Sequence, residues 1–129
     1  MFFNRRAFII GAASSLASPA VAKENEIGFI LVGASWCPVC KVAAPMLAVL
    51  AENSGIPVLV ASQDSRPIPP FEKFTPIADH PLVASVQRYP TTFVFSSKAN
   101  ALVGGVEGYR SPTWYVSNLK AVIREAMAL

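Results

Sequence analysis

The stretch IGFILVGASWCPVC, residues 27–40, joins a run of apolar residues to two cysteines. Its apolar part, residues 27–33, is continuous rather than alternating, which is typical of a β-strand covered on both faces. The next segment, residues 38–53, is rich in Ala, Val, Leu and Met and ends before Gly55, which predicts a helix stopped by a glycine. The cysteines therefore lie where a buried strand passes into a helix.

The middle of the chain predicts a second strand and a long irregular connection. Residues 57–61 are rich in β-branched residues and indicate a strand. Residues 62–81 contain five prolines, so we expect irregular backbone there. A short helix capped by Asp79 is expected to run to about Arg88.

Two strands and a helix complete the predicted fold. Residues 91–96 and 101–106 are expected to form an antiparallel hairpin. A last helix begins at Ser111-Pro112, because apolar residues follow at helical spacing. The order is β-α-β-α-β-β-α, and the first two strands should be parallel because a helical crossover joins them. We predict an α/β fold with a mixed sheet of about four strands and helices on both faces.

Residues 1–22 have the features of an export signal. The run NRRAFI, residues 4–9, resembles a twin-arginine signal, and small residues at positions 20–22 offer a cleavage site. An ordinary Sec signal and a retained amphipathic anchor are the alternatives. We expect cleavage near Ala22, which leaves residues 23–129 as one domain in the bacterial periplasm.

Composition excludes several classes of function. Of the 129 residues 53% are hydrophobic and 15% are charged. The longest run without charge, residues 7–22, is nevertheless shorter than the roughly 20 residues that a membrane-spanning helix needs, so we expect no stable span after cleavage. Much of the net charge of +3 comes from the paired arginines at positions 5 and 6. The rest of the chain holds no cluster of basic residues, so we expect no nucleic-acid partner.

Cys37 and Cys40 are the only cysteines of the chain. At a helix start, Cys37 would lie near unsatisfied backbone N–H groups and the positive end of the helix dipole, which favours its thiolate. Cys40 follows one turn later, close enough to form a disulfide with it. Reduced Cys37 can attack a substrate disulfide and Cys40 can resolve the mixed disulfide; the reverse steps donate a disulfide.

Two other interpretations of this pair remain. A structural disulfide would stabilise the fold little, because it closes a loop of only four residues. A zinc site needs four ligands, and since the chain adds only His80, two chains would have to share the ion. We interpret His80 as a solvated loop residue, and we expect no metal and no other cofactor.

The sequence as a whole resembles the thioredoxin family. The motif WCPVC, residues 36–40, follows an apolar strand as the family's active-site signature does, and Pro45 matches a proline that kinks the active-site helix. Tyr89-Pro90 precedes the next-to-last predicted strand and matches the family's cis-proline, which lies beside the cysteines. Gly108, before the last helix, has a family counterpart as well.

The resemblance implies an enzyme that exchanges disulfides with protein thiols or disulfides. Cys37 would attack, Cys40 would resolve, and the two would form a redox-active disulfide, while the substrate would bind at Trp36, Tyr89 and Pro90. It favours a dedicated reductant, supplied by a membrane electron donor, over a general oxidase. A non-catalytic chaperone or assembly module with the same fold is the alternative.

The sequence departs from the family pattern in three places. Thioredoxins bury an aspartate in the strand before the motif, where this chain has Leu31. The pair Pro38-Val39 lacks the histidine of the oxidase DsbA, so the disulfide should be less oxidising than that of DsbA. The family's initial strand and helix are missing. In addition, residues 43–51 are apolar on nearly all sides of the predicted helix, which suggests a surface that holds a polypeptide.

Overall fold

The computed structural model describes residues 26–129, so the predicted export signal lies outside the described residues. The helices are α1 (Pro38–Ser54) and α2 (Pro112–Met127). The strands are β1 (Ile27–Gly33), β2 (Val58–Ser62), β3 (Thr75–Pro76), β4 (Thr91–Ser96) and β5 (Ala101–Glu107). In this part of the chain no helix is both long enough and apolar enough to cross a membrane.

The five strands form one mixed sheet in the order β3-β2-β1-β4-β5. β1 pairs with β2 in parallel and with β4 antiparallel, and β4 and β5 form the antiparallel hairpin. These pairings confirm the predicted fold class and the predicted strand directions. The sheet has five strands rather than about four, because the two-residue β3 adds to the edge of β2 within the proline-rich connection.

Local signals in the sequence fix the ends of both helices. Gly55 ends α1 in the left-handed conformation, with φ 70°, a backbone region that glycine adopts without a steric penalty. The Ser111 hydroxyl accepts a hydrogen bond from the backbone N–H of Trp114, at 3.1 Å, and so caps α2. Pro112 follows as the first helical residue, where a missing N–H costs nothing. The predicted starts of both helices are confirmed.

Both helices pack on the same face of the sheet. The main core lies between them and the alternate residues of the strands, and its largest fully buried members are Phe29, Leu31, Leu47, Ile68, Tyr115 and Leu119. A smaller core on the opposite face is built from Ile30, Val32, Ala61 and Val83. This second face is covered by the segment between β3 and β4, so the prediction of helices on both faces was wrong for the two α-helices.

The predicted helix from Asp79 to Arg88 was wrong. Residues 77–79 form a single 3₁₀ turn, and the next hydrogen bonds also span three residues, from Val83 N–H to the His80 carbonyl and from Val86 N–H to the Val83 carbonyl. A segment this short gains few hydrogen bonds for the cost of starting a helix. Its turns instead place Val83 and Val86 against the sheet.

The interpretation of His80 as a solvated residue was also wrong. His80 is half-buried, and among the described residues its Nδ1 atom is buried with no hydrogen-bond partner. The turns place His80 in the lining of a cavity that it shares with the apolar residues Leu59, Leu82 and Phe95. A buried polar atom without a partner is costly, so packing of the turn against the sheet outweighs solvation of the ring.

Candidate active site

Cys37 is the N-cap residue of α1. Its backbone is extended, with φ −81° and ψ 116°, and its Sγ accepts a hydrogen bond from the backbone N–H of Cys40 at 3.2 Å. Pro38 fills the first helical position, where a backbone N–H would have no partner within the helix and its absence costs nothing. The sulfur therefore takes the place of the serine or threonine oxygen that caps most helices, and it lies at the positive end of the helix dipole.

Cys40 lies one turn further into the helix and has no solvent exposure. A Cβ atom placed on Gly33 of β1 would come within 2.9 Å of the Cys40 Sγ, so the sulfur sits directly over this glycine. Burial raises the pKa of the Cys40 thiol to about 12, and its hydrogen bond with Cys37 acts in the same direction. At neutral pH the Cys40 thiol is therefore protonated.

Leu31 lies on the same face of β1 as Gly33, two residues earlier, and is completely buried. Its β4 partner Thr92 is also buried, and the Thr92 hydroxyl lies 2.6 Å from the Tyr115 hydroxyl of α2. Burial raises the pKa of Tyr115 to about 12. Among residues 26–129 no Asp or Glu side chain is buried, so the described core offers no carboxylate to take the proton of Cys40.

Three of the other predicted site residues meet beside Cys37. The Tyr89–Pro90 peptide bond is cis, Pro90 is fully buried, and the Tyr89 carbonyl oxygen lies 4.0 Å from the Cys37 Sγ. The Trp36 ring meets the Tyr89 ring edge to face, with 6.3 Å between centroids, and remains 58% exposed. The structure thus brings Trp36, Cys37, Cys40, Tyr89 and Pro90 together at one end of the sheet.

Sequence reasoning missed the residues that hold the loop before Cys37. The Asp64 carboxylate accepts a hydrogen bond from the Ser35 backbone N–H at 3.1 Å and a short one from the Ser35 hydroxyl. The Gln63 side-chain oxygen accepts from the Trp36 indole N–H at 3.1 Å. Their position in the sequence could have indicated them. Because β1 and β2 are parallel, the polar residues that follow each strand meet at the same edge of the sheet.

A family model described as "TraF: F plasmid transfer operon protein" matches residues 20–108, more than half of the chain. The chain belongs to the TraF family. No curated protein matches this TraF-family chain in sequence.

Solved structures similar to the TraF-family chain have the thioredoxin fold. A protein assigned as thiol:disulfide interchange protein DsbE, from Chlorobium tepidum, has a TM-score of 0.59 at 18% identity, covering 82% of this chain and 83% of its own. A mutant thioredoxin from Halobacterium salinarum has a TM-score of 0.58 at 22% identity, over 84% and 81% of the two chains. A thio-disulfide isomerase from Thermus thermophilus has a TM-score of 0.56 at 25% identity, over 76% and 80%. The predicted thioredoxin-like family is confirmed.

The Asp64 contacts give this TraF-family chain a pH-dependent brace. Partial desolvation alone would raise the pKa of Asp64, but hydrogen bonds from Ser35 and Ser62 outweigh it and hold the pKa below its usual value. A lowered pKa in the folded state means that the carboxylate stabilises the fold above about pH 4, the unfolded value, and that this stabilisation is lost as pH falls through the folded pKa.

Asp64→Asn is therefore expected to lower the free energy of unfolding by about 1 kcal/mol at pH 7, because the amide nitrogen that replaces one carboxylate oxygen cannot accept one of the two Ser35 hydrogen bonds. Urea unfolding at a series of pH values measures the difference from the native chain, which should shrink as the pH is lowered from 5 toward 2. Asp79→Asn is the matched control, since Asp79 is exposed. An equal effect of both substitutions at pH 7 would rule out the brace.

Proposed function

We propose that the chain is a thiol-disulfide oxidoreductase that acts on protein substrates through Cys37 and Cys40. The observation that carries the proposal is the position of the Cys37 sulfur, which caps α1, accepts the Cys40 N–H and lies 4.0 Å from the Tyr89 carbonyl. A structural disulfide does not require a sulfur placed at a helix start beside an exposed aromatic ring. This placement suits a nucleophile that a substrate sulfur must reach.

The proposed reaction has two displacements. The Cys37 thiolate attacks one sulfur of a substrate disulfide; a bond forms between them, and the other substrate sulfur leaves as a thiolate that takes up a proton. Cys40 then loses its proton and attacks the Cys37 sulfur. The Cys37–Cys40 disulfide forms, and the substrate leaves with both of its sulfurs reduced. Run in reverse, the same steps oxidise a substrate dithiol.

The surface around Cys37 supports a polypeptide substrate. Trp36 is 58% exposed, and the outer side of α1 presents Val39, Val42 and Val49, each between 41% and 54% exposed. Exposed apolar groups beside the reacting cysteine and along the same helix favour contact with apolar segments of another protein. Trp36, Tyr89 and Pro90 are the residues that we propose to bind the substrate chain next to its disulfide.

The proposed direction is reduction. Pro38 and Val39 place no charged or hydrogen-bonding side chain between the cysteines, so little beyond the helix start stabilises the reduced form. A strong oxidant such as DsbA owes its potential to a stabilised reduced form. We expect a reduction potential closer to the thioredoxin value of about −270 mV than to the DsbA value of about −120 mV, measured by equilibration with glutathione.

The proposed location is the bacterial periplasm. Residues 1–22 would direct export by the twin-arginine or the Sec route and be removed near Ala22, which leaves residues 23–129 as the functional domain. A reductant in an oxidising compartment must be reduced again after each turnover. We therefore propose a membrane electron donor as the second partner.

The test is the reduction of insulin by dithiothreitol, followed as turbidity. The native chain is expected to accelerate the reaction well above the background rate, and Cys37→Ser should return it to background. Ser85→Ala, at an exposed serine on the opposite face, is the control and should keep the native rate. If the native chain and Cys37→Ser reduce insulin equally slowly, the non-catalytic chaperone or assembly module replaces the oxidoreductase.

A further inference from the structure

The proline-rich connection after β2 contributes one residue to the core. Between Gln63 and Phe74, Ile68 is the only buried residue, with no solvent exposure, although the prolines on both sides of it are exposed. It belongs to the main core together with Cys40. The connection therefore folds so that a single side chain points inward.

The Ile68 side chain approaches the same point of β1 as the resolving cysteine. The Cβ position of Gly33 lies 3.2 Å from the Ile68 Cδ1 as well as 2.9 Å from the Cys40 Sγ. The methyl group and the sulfur thus converge on one point of β1 that only a glycine can leave open. Because both atoms lie against Gly33, the Ile68 side chain occupies the core beside the Cys40 sulfur, and we call it the cover.

Hydrogen bonds hold this cover in place from both sides. Before Ile68, the Ser62 hydroxyl lies 2.7 Å from the Arg66 carbonyl and accepts the Arg66 N–H at 3.1 Å. After it, the Phe71 N–H donates to the Ile68 carbonyl at 3.0 Å. The backbone is thereby fixed immediately before and after the buried side chain, which makes the cover part of the fold.

Exclusion of water matters for Cys40 because its thiol has to become a thiolate to react. Transfer of a charge out of water is unfavourable unless another charge or hydrogen bond compensates for it. Leu31 is buried near Cys40, and the described core holds no carboxylate that could take up the proton. Any group that excludes water from the sulfur therefore slows the formation of the thiolate.

We propose that Ile68 is a positioning residue of the resolving step, which shields the Cys40 thiol from water and so prolongs the mixed disulfide between Cys37 and its substrate. This inference rests on the proposed function. In the step concerned, the Cys40–Cys37 bond forms and the Cys37–substrate bond breaks. The Cys40 proton passes to solvent, and the departing substrate sulfur takes up a proton. No other oxidant or reductant is required.

The test uses glutathione disulfide as the substrate of the reduced protein. Samples are quenched with acid at short times, and mass spectrometry measures how fast the glutathione adduct on Cys37 forms and disappears. Ile68→Ala is expected to speed its disappearance roughly tenfold, the effect of a tenfold larger thiolate fraction, without changing the rate at which it forms. Ile68→Val, which removes only the Cδ1 methyl group, should speed the disappearance of the adduct less than Ile68→Ala does.

Ile56→Ala is the matched control, because it removes the same atoms from a buried isoleucine of the same core. A second measurement follows the Cys40 thiol alone, in a Cys37→Ser background. It records the pH at which the rate of Cys40 alkylation by iodoacetamide reaches half its maximum. Ile68→Ala should lower this pH, whereas Ile56→Ala should leave it unchanged. A purely structural role of Ile68 would move both variants alike.

The proposal is overturned if Ile68→Ala leaves adduct lifetime and the pH profile of alkylation unchanged, or if Ile56→Ala changes them equally. Failure of the proposed function gives a different result, since no glutathione adduct would form on Cys37 in any variant. The alkylation of Cys40 would still decide whether Ile68 shields the sulfur.

Discussion

Cys40→Ser is expected to convert the protein into a trap that stays covalently bound to its substrates. Cys37 caps α1 beside the exposed Trp36 and is 5% exposed, whereas Cys40 has no exposure, so the first displacement can still occur at Cys37. The second displacement cannot, because a serine hydroxyl at this position does not attack a disulfide. The mixed disulfide on Cys37 should therefore accumulate toward one adduct per protein molecule, whereas the native chain releases it.

The measurement is non-reducing electrophoresis and mass spectrometry after mixing the reduced variant with a protein disulfide such as insulin. Cys37→Ser is the decisive control, since Cys40 has no solvent exposure and should form no adduct on the same timescale. Adducts that appear equally in both variants, or that sit on Cys40, would reverse the assigned order of attack. Dithiothreitol should release every adduct, which distinguishes a mixed disulfide from other linkages.

Leu31→Asp is expected to cause a large loss of folding stability, and this loss depends on pH. Leu31 is completely buried between the sheet and the two helices, so a carboxyl group there must remain protonated to avoid an unpaired buried charge. If the carboxyl remains protonated at pH 7 while the unfolded value is about 3.9, the folded state is disfavoured by about 4 kcal/mol from this source alone.

The sign of this effect follows from the raised pKa. Below about pH 4 both states hold the proton, and the titration contributes nothing. Above that value the unfolded chain releases its proton first, so stability falls by about 1.4 kcal/mol for each pH unit until the folded pKa is reached. Urea unfolding between pH 4 and pH 8 measures the slope. Leu31→Asn is the control: it introduces a polar group of similar shape, and its loss of stability should not vary with pH.

A flat pH dependence of Leu31→Asp, parallel to that of Leu31→Asn, would mean that water or a polar partner reaches this site. The hydroxyl pair of Thr92 and Tyr115 lies nearby and is the group to test next in that case. Tyr115→Phe in the Leu31→Asp background would then remove the polar partner and restore the slope.

Local patterns in the sequence are sufficient for most of the fold. The continuous apolar run of β1, the glycine stop of α1 and the Ser111-Pro112 start of α2 each depend on neighbouring residues, and the structure confirms all three. The segment after Asp79 also begins with a residue suited to cap a helix. It forms turns instead, because its conformation is decided by packing against the second face of the sheet.

In the site, too, features that depend on neighbouring residues could be predicted, and those that depend on distant contacts could not. The cysteines, Trp36, Tyr89 and Pro90 are recognisable because they stand in a motif or beside one. The Asp64 brace and the Ile68 cover depend on contacts between residues 29 and 35 positions apart, made by a connection that sequence reasoning could describe only as irregular. Their side chains carry no local signal, since an aspartate and an isoleucine among prolines and serines are ordinary in sequence.

The helix cap described for Cys37 makes one amide proton a natural sensor of the chemistry at this sulfur. The Cys40 N–H is bonded to the Cys37 Sγ, so each change in the charge or bonding of that sulfur alters the electron density that this proton meets. In an ¹⁵N-correlated spectrum its resonance would distinguish thiol, thiolate, mixed disulfide and closed disulfide without any added label. The first turn of α1 would loosen and tighten with each cycle, because its capping atom is also the reacting atom.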